Sequence, residues 1–327
     1  MPNTSQTGLL EVGTGVFAYV QPNTPTSWGW SNAGLVTAGR TSLLVDTLYT
    51  LVHTQQMLDA MRAATPAAAT IDVLVNSHAD PDHTFGNQLV NGAQIIATKA
   101  AAEDMRVNLT PEQVRAIVAN TGDMGLGGQF FARLCAPFDF SGIDLVMPTS
   151  TFTGRRTVRV EEKVVELIDL GPAHTRGDLI VHVPEDRVVF VGDLLFSGAH
   201  AVLWSGPVSN WTRGCDVILD MDVDVIVAGH GPLGDKPALR EFRNYLEYLE
   251  AEATGLHARG LSARQAAREI DLSAYADWMD RERIVLAMDT IFKGLEGNTE
   301  APDYLRLFGD MAEYAEEEGT KVDLPRR

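Results

Sequence analysis

The segment IDVLVNSHADPDH, residues 71–83, sets the reading of the whole chain. Its first half is a continuous apolar run stopped by polar residues, the pattern of a strand buried on both faces. Its second half places His78, Asp80, Asp82 and His83 directly at that strand's end. Loops at strand ends are where an α/β scaffold carries chemistry, because a rigid element positions them. A lone histidine there is ordinarily a hydrogen-bonded structural residue. Several imidazoles and carboxylates in one turn are costly to pack unless something neutralises them. These groups are the ligand set for zinc, and with more carboxylate for iron or manganese.

Working outward, three further polar residues follow runs that read as buried strands: His174 in GPAHTRGD, Asp193 in FVGDLLF and His230 in VAGHGP. With the first cluster they could surround two divalent ions, and such a pair can polarise a carbonyl and hold the hydroxide that attacks it. Residues 15–47 read as short strands and turns, with Asp46 closing SLLVDT. A helix is predicted over 49–63, a strand in QIIAT, a glycine-punctuated helical insertion over 101–140, and a helix near 208–220. Strands resume in TVRV, VVELIDL, DLIVHV, RVVFVGD and VDVIVAGH, and only helices are predicted beyond 236. Two β-rich halves with helices between them predict a layered α/β protein with helices outside.

Composition narrows the function. The chain has 327 residues, 45% apolar and 21% charged, which suits one large soluble domain or a core with a helical appendage. No apolar run reaches the roughly 18 residues a membrane helix needs. The opening MPNTSQTGLLEVG lacks the basic and apolar regions of a secretory signal. Cys135 and Cys215 are too few for a disulfide scaffold or a four-cysteine zinc site, so buried thiols and a cytoplasmic location are expected. The balance of 26 basic against 44 acidic residues gives −18, a field that repels nucleic acid and anionic membranes. A small-molecule substrate is therefore expected, with neither of those partners.

HADPDH, HTRGD, GDLLF and GHGP, in that order, resemble the motifs of the metallo-β-lactamase fold superfamily over about residues 10–235. The resemblance implies an αββα sandwich with its site at one edge between two sheets, with a helical insertion and C-terminal helices added. It implies a domain over 1–235 and a packed helical extension over 236–327. It implies His78 and His174 as ligands of a first metal, Asp82, His83 and His230 of a second, and Asp193 as the bridge. Asp46 matches an early acidic residue that supports the site from outside the ligand set. Two divalent ions are implied, zinc first, and Asp82 is expected to orient the attacking hydroxide.

Position 80 departs from the family pattern H-x-H-x-D-H, because Asp80 stands where the second histidine belongs. Three outcomes are open. Asp80 binds metal and shifts preference towards iron or manganese; it is too short, and the first site is weak; or metal is lost altogether. Flavodiiron proteins resemble the first case, but the helical segment after His230 is too short for their flavodoxin domain. Pro81 fixes its own φ and constrains Asp80 to extended geometry.

Around the site, Trp28, Trp30, His200 and Trp204 are candidates for a substrate wall, with core packing the alternative for the tryptophans. Gly122, Gly125, Gly127 and Gly128 are candidate hinges of a lid lined by Phe130, Phe131, Leu134 and Phe138, unless these aromatics simply pack the insertion on the sandwich. Arg176 is expected to pair with Asp178, with contact to an anionic substrate group the alternative. Leu239, Phe242, Tyr245, Leu246 and Leu249 form an apolar stripe for intramolecular burial or a homodimer face. The functional expectation is a metal-dependent hydrolase of an ester, thioester or lactone, loosely similar to polyketide cyclases and thioesterases of secondary metabolism. The alternatives are a non-flavin iron or manganese oxidoreductase and a metal-free binding or cyclisation scaffold.

Overall fold

A computed structural model describes residues 6–22, 24, 27–90, 92–121 and 124–319. The short apolar runs pair into two sheets. β1 (Gly8–Gly13), β2 (Val16–Val20), β3 (Ala33–Ala38), β4 (Thr41–Val45), β5 (Val73–Val75), β6 (Gln94–Thr98) and β7 (Ser150–Phe152) form a seven-stranded sheet in chain order. It is antiparallel from β1 to β4 and parallel from β4 to β7. β8 (Arg155–Val160), β9 (Lys163–Asp169), β10 (Leu179–Val183), β11 (Val188–Phe196) and β12 (Val225–His230) form a five-stranded sheet ordered β12-β11-β10-β9-β8.

Alternation of side chains along each strand divides the core into layers. Val36 in β3 and Val45 in β4 face the other sheet, where they meet Val181, Phe190 and Val227. Their neighbours Leu35 and Leu44 face outward onto Met57, Leu58 and Met61 of α1 (Leu51–Ala64). In the second sheet Ile180 and Val189 face out onto helices, while Val181 and Phe190 face in. The inner layer is tight at Gly34: a Cβ there would lie 2.0 Å from the Phe190 ring, so only glycine lets the sheets approach. The result is the αββα sandwich.

The remaining helices are α2 (Pro81–Thr84), α3 (Lys99–Asp104), α4 (Pro111–Ala119), α5 (Gly125–Cys135), α6 (Val208–Asp220), α7 (Lys236–Ala258), α8 (Ala263–Glu269), α9 (Ile284–Glu296) and α10 (Tyr304–Glu317). Capping boxes start α4 at Thr110 and α8 at Ser262. The stripe on α7 is fully used inside the chain: Leu239, Phe242, Tyr245, Leu246 and Leu249 are buried in the outer core with Trp211, Met288 and Phe308. A pairing of two copies through these helices would need another face.

Three elements go beyond the sequence reading, the short edge strand β7 among them. β1 precedes the first predicted strand and hairpins with β2. α10 is an amphipathic helix with Leu307, Phe308, Met311 and Tyr314 buried, and it clamps the insertion. A Cβ on Gly127 of α5 would lie 2.0 Å from the Leu305 carbonyl oxygen of α10, so the two helices touch backbone to backbone. Phe130 and Leu134 are buried in this outer core, and Phe138 packs with Phe85 and Phe140. The aromatics of the insertion therefore pack it down rather than line an open cavity. Gly125 starts α5 at φ 61°, while Gly127 and Gly128 lie buried within the helix, which is no place for a hinge. Gly122 lies outside the described residues.

Candidate metal centre

The ligand candidates come from loops and strand ends at one edge of the sandwich. β5 ends just before Ser77 and His78. Asp80 occupies the N-cap position of α2 with φ −68° and ψ 144°, the extended geometry that Pro81 imposes. Asp82 and His83 follow in that single turn. His174 sits in the loop between β9 and β10, Asp193 within β11, and His230 ends β12. The β11–β12 register shifts beside Gly192, a bulge that re-aims the strand next to Asp193. A Cβ on Gly229 would lie 2.0 Å from Asp193 Oδ1 and 2.6 Å from the Gly192 carbonyl carbon, so glycine there makes room for the carboxylate.

All these candidates converge. Asp193 Oδ2 lies 3.3 Å from both His174 Nε2 and His230 Nε2, and Asp193 Oδ1 lies 3.1 Å from His83 Nε2. Asp80 Oδ2 is 3.2 Å from His174 Nε2, and Asp82 Oδ2 is 3.3 Å from His230 Nε2. Three sets could hold an ion, with ligand atoms within 4.8 Å of one another: His78, Asp80 and His174; His78, His83 and Asp193; Asp82, His83 and His230. Asp80 thus groups with the histidines of the first site.

Every imidazole is anchored by its far nitrogen. His78 Nδ1 meets Ser77 Oγ at 2.9 Å, and His83 Nδ1 meets Asp46 Oδ2 at 3.0 Å. His174 Nδ1 donates to the Val202 carbonyl at 2.6 Å, and His230 Nδ1 to that of Trp30 at 3.2 Å. These contacts leave each Nε2 facing the centre, the orientation that metal-bound histidines take. Asp46, the early acid, also accepts from Ser77 N and Oγ at 2.6 and 2.7 Å. It sits at φ 60°, a left-handed geometry that aspartate tolerates better than most residues.

The electrostatics fit a cation. Burial favours a neutral, raised Asp193, yet His230, His83, His78 and His174 around it hold its carboxyl well below the usual range. Burial pulls His174 down, but Asp193 and Asp80 outweigh it and push the imidazole up to about 9. Burial and the neighbouring His83 instead lower His78 to about 4. His78 Nε2 is buried without a hydrogen-bond partner, and His83 Nε2 and Asp193 Oδ1, buried 3.1 Å apart, face each other out of hydrogen-bond alignment. Such orphaned atoms call for an explanation, and a bound ion supplies one. The residues therefore fit bound metal.

Residues 27–230 match the metallo-β-lactamase superfamily. The chain belongs to that superfamily.

Among solved structures of this fold, it is similar to the inverting sec-alkylsulfatase Pisa1 from Pseudomonas sp., with TM-score 0.66 and 16% identity over 88% of this chain and 50% of that one. It is also similar to the metallo-β-lactamase from Pontibacter korlensis, with TM-score 0.52 and 17% identity over 74% of this chain and 99% of the other. In sequence it is 30% identical over 129 residues to the 2,4-dinitroanisole O-demethylase subunit alpha of Nocardioides sp. (strain JS1661). That match spans 38% of this chain and 36% of the subunit. The chain thus matches only about half of the alkylsulfatase and about a third of the demethylase subunit.

The other site candidates of this metallo-β-lactamase-fold chain fall in different places. Trp204 reaches the centre: its indole Nε1 donates to Asp80 Oδ2 at 3.1 Å. Trp30 contributes its carbonyl, while its ring packs on Phe138 and His53. Trp28 lies under the Arg283 guanidinium, 4.6 Å from ring to carbon, a cation–π contact of the kind the packing alternative describes. His200 is fully buried with Nδ1 on the Tyr245 hydroxyl at 2.9 Å, so it offers no surface to a substrate. Arg176 does not pair with Asp178. Its Nε donates to Asp104 at 2.8 Å, while buried Asp178 accepts from Thr175 N and Oγ1. Exposed Arg176 extends across the surface to α3, and the buried carboxylate takes the nearest local donors.

Tyr304 at the start of α10 is a residue that sequence reasoning missed. Its ring centroid lies 5.3 Å from that of Trp204, edge to face. Burial, then Asp80 and Asp104, push its phenol up to about 12. Cys135 and Cys215 are buried and free, with burial pushing both thiols up to about 12. Among the described residues no helix is long and apolar enough to cross a membrane.

Proposed function

We propose that the chain is a metal-dependent hydrolase of an ester, thioester or lactone. The observation that carries this reading is the convergence of imidazole Nε2 atoms and carboxylates on one buried centre that opens to solvent at Asp80 and Asp82. His78, His83, His174 and Asp193 have side chains at most 4% exposed, against 20% for Asp80 and 14% for Asp82. A substrate would approach over those two acids. His78, Asp80 and His174 would hold one ion, Asp82, His83 and His230 the other, and Asp193 would lie between them. When bound, such a pair acidifies water and polarises a carbonyl.

The chain's own groups do the positioning. Asp82, beside His230 and open to solvent, can accept a proton and orient the attacking water. The phenol of Tyr304, which packs on Trp204, stays protonated at neutral pH and can act as a neutral donor. The alkylsulfatase and β-lactamase names of the structural relatives support hydrolysis as the class of reaction.

Asp80 supports a second reading, a non-flavin iron or manganese oxidoreductase, because a carboxylate in the first donor set makes it harder and more anionic. The O-demethylase name of the sequence relative is compatible with it. One experiment separates the readings. The full chain is loaded with zinc, iron or manganese and offered aryl esters, thioesters and lactones, with and without oxygen and after chelation. Zinc-dependent, oxygen-independent turnover supports the hydrolase. Turnover only with iron or manganese and oxygen overturns it in favour of the second reading. Ligand binding that persists without metal or turnover would instead point to a scaffold.

A further inference from the structure

The C-terminal helices reach the metal centre through one aromatic residue, and that residue meets the position where the chain departs from its family. Trp204 Nε1 lies 3.1 Å from Asp80 Oδ2, the same oxygen that is 3.2 Å from His174 Nε2. The loop carrying Trp204 is wrapped around His174. Val202 O accepts from His174 Nδ1 at 2.6 Å, and the amides of Trp204 and Ser205 both donate to His174 O at 3.1 Å. The loop is braced from outside: Thr290 Oγ1 of α9 donates to Leu203 O at 2.6 Å, and Tyr304 of α10 packs edge-on against the Trp204 ring.

We infer that Trp204 is a positioning residue that holds Asp80 in the first donor set and matches that position to a carboxylate rather than an imidazole. An indole N–H only donates, so it needs an acceptor at position 80. A carboxylate has lone pairs for the indole and for an ion together. An imidazole that ligates through one nitrogen carries N–H on the other, so the indole would face a donor. The N–H also fixes the carboxylate's rotation before an ion arrives, and hydrogen bonds to ligating carboxylates of this kind are worth about 10–100-fold in metal affinity. The inference rests on the metal-centre reading and deepens it. The C-terminal extension thereby acquires a role in the site, since α9 and α10 hold the loop that holds Asp80.

The test is zinc binding to the full chain, read by competition with a chromophoric chelator, for wild type, W204F, D80H and D80H/W204F. Phenylalanine keeps most of the apolar ring and removes the N–H. The inference predicts that W204F weakens one zinc equivalent about 10–100-fold and leaves the other, at Asp82, His83 and His230, unchanged. It predicts that the same substitution in the D80H background costs nothing or strengthens binding. W204F titrating as wild type overturns it, as does an equal loss at both equivalents in both backgrounds, which would mark a merely structural tryptophan. A wild-type chain that binds no zinc overturns the site reading and the inference together. A second measurement needs no change at Trp204. In the ¹⁵N-labelled metal-free chain, Asp80→Ala should move one of the 5 tryptophan indole N–H resonances strongly upfield; an unchanged set would overturn the hydrogen bond itself.

Discussion

Asp46 holds His83 from behind: its Oδ2 lies 3.0 Å from His83 Nδ1, and the opposite nitrogen of that ring faces Asp193 at 3.1 Å. The same carboxylate accepts from the amide and hydroxyl of Ser77, and so ties the end of β4 to the end of β5. Position and tautomer of the imidazole thus come from a residue that does not itself face the centre of the cluster. Asp46→Ala should weaken zinc binding about 10–100-fold, measured by chelator competition. It should also lower the unfolding free energy of the metal-free chain by about 3–5 kcal/mol in denaturant titration, because it strands buried donors. Unchanged zinc affinity would show that His83 needs no support.

Gly229 makes room for Asp193. A methyl group there meets the carboxylate oxygen at 2.0 Å on one side and the Gly192 backbone on the other. Neither can yield without moving the Asp193 carboxylate. Gly229→Ala should cost about 1–3 kcal/mol of stability by overpacking and lower the zinc stoichiometry. Thermal unfolding together with metal content checks both effects.

Gly127 makes the corresponding close contact between the insertion and α10, with the Leu305 carbonyl 2.0 Å from any added Cβ. Gly127→Ala should separate α5 from α10 and raise amide hydrogen exchange in both helices together, while the sandwich strands stay protected. Exchange that rises in α5 alone would mean that α10 does not clamp the insertion.

Glu282, in the turn before α9, is buried, and burial and then Asp280 push its carboxyl up to about 7 from 4.5. A group raised in the folded state favours folding most when protonated. Its contribution is complete below about pH 4.5 and is lost as pH rises to and through about 7. Glu282→Gln, neutral throughout, should therefore be more stable than wild type at pH 8 and gain little or nothing at pH 4.5. A thermal midpoint difference that does not vary with pH would contradict this.

Legibility in the sequence followed distance along the chain. His78, Asp80, Asp82 and His83 stand in one turn, so their shared chemistry was readable without any fold. His174, Asp193 and His230 were readable because each ends or follows an apolar run, and the superfamily resemblance supplied their order. The contact of Trp204 with Asp80 spans 124 positions and depends on a loop that wraps His174, so no local pattern announces it. Arg176 illustrates the opposite error: its nearest acid in sequence, Asp178, is turned inward onto Thr175, while the true partner Asp104 lies on α3. The signal for α10 was present in the spacing of Leu307, Phe308, Met311 and Tyr314, but nothing local says that its first residue packs on Trp204. His200 looked like a site residue because it follows Asp193 closely, yet the chain turns there and buries it against Tyr245 and Trp278.

The central claim is that these residues hold metal ions, and the most direct measurement is elemental analysis of the full chain purified without chelator or added metal. The account predicts about two metal equivalents per chain, lost on chelation and reduced in His83→Ala and His174→Ala. A well-folded chain that carries no metal and takes up none on titration would contradict it.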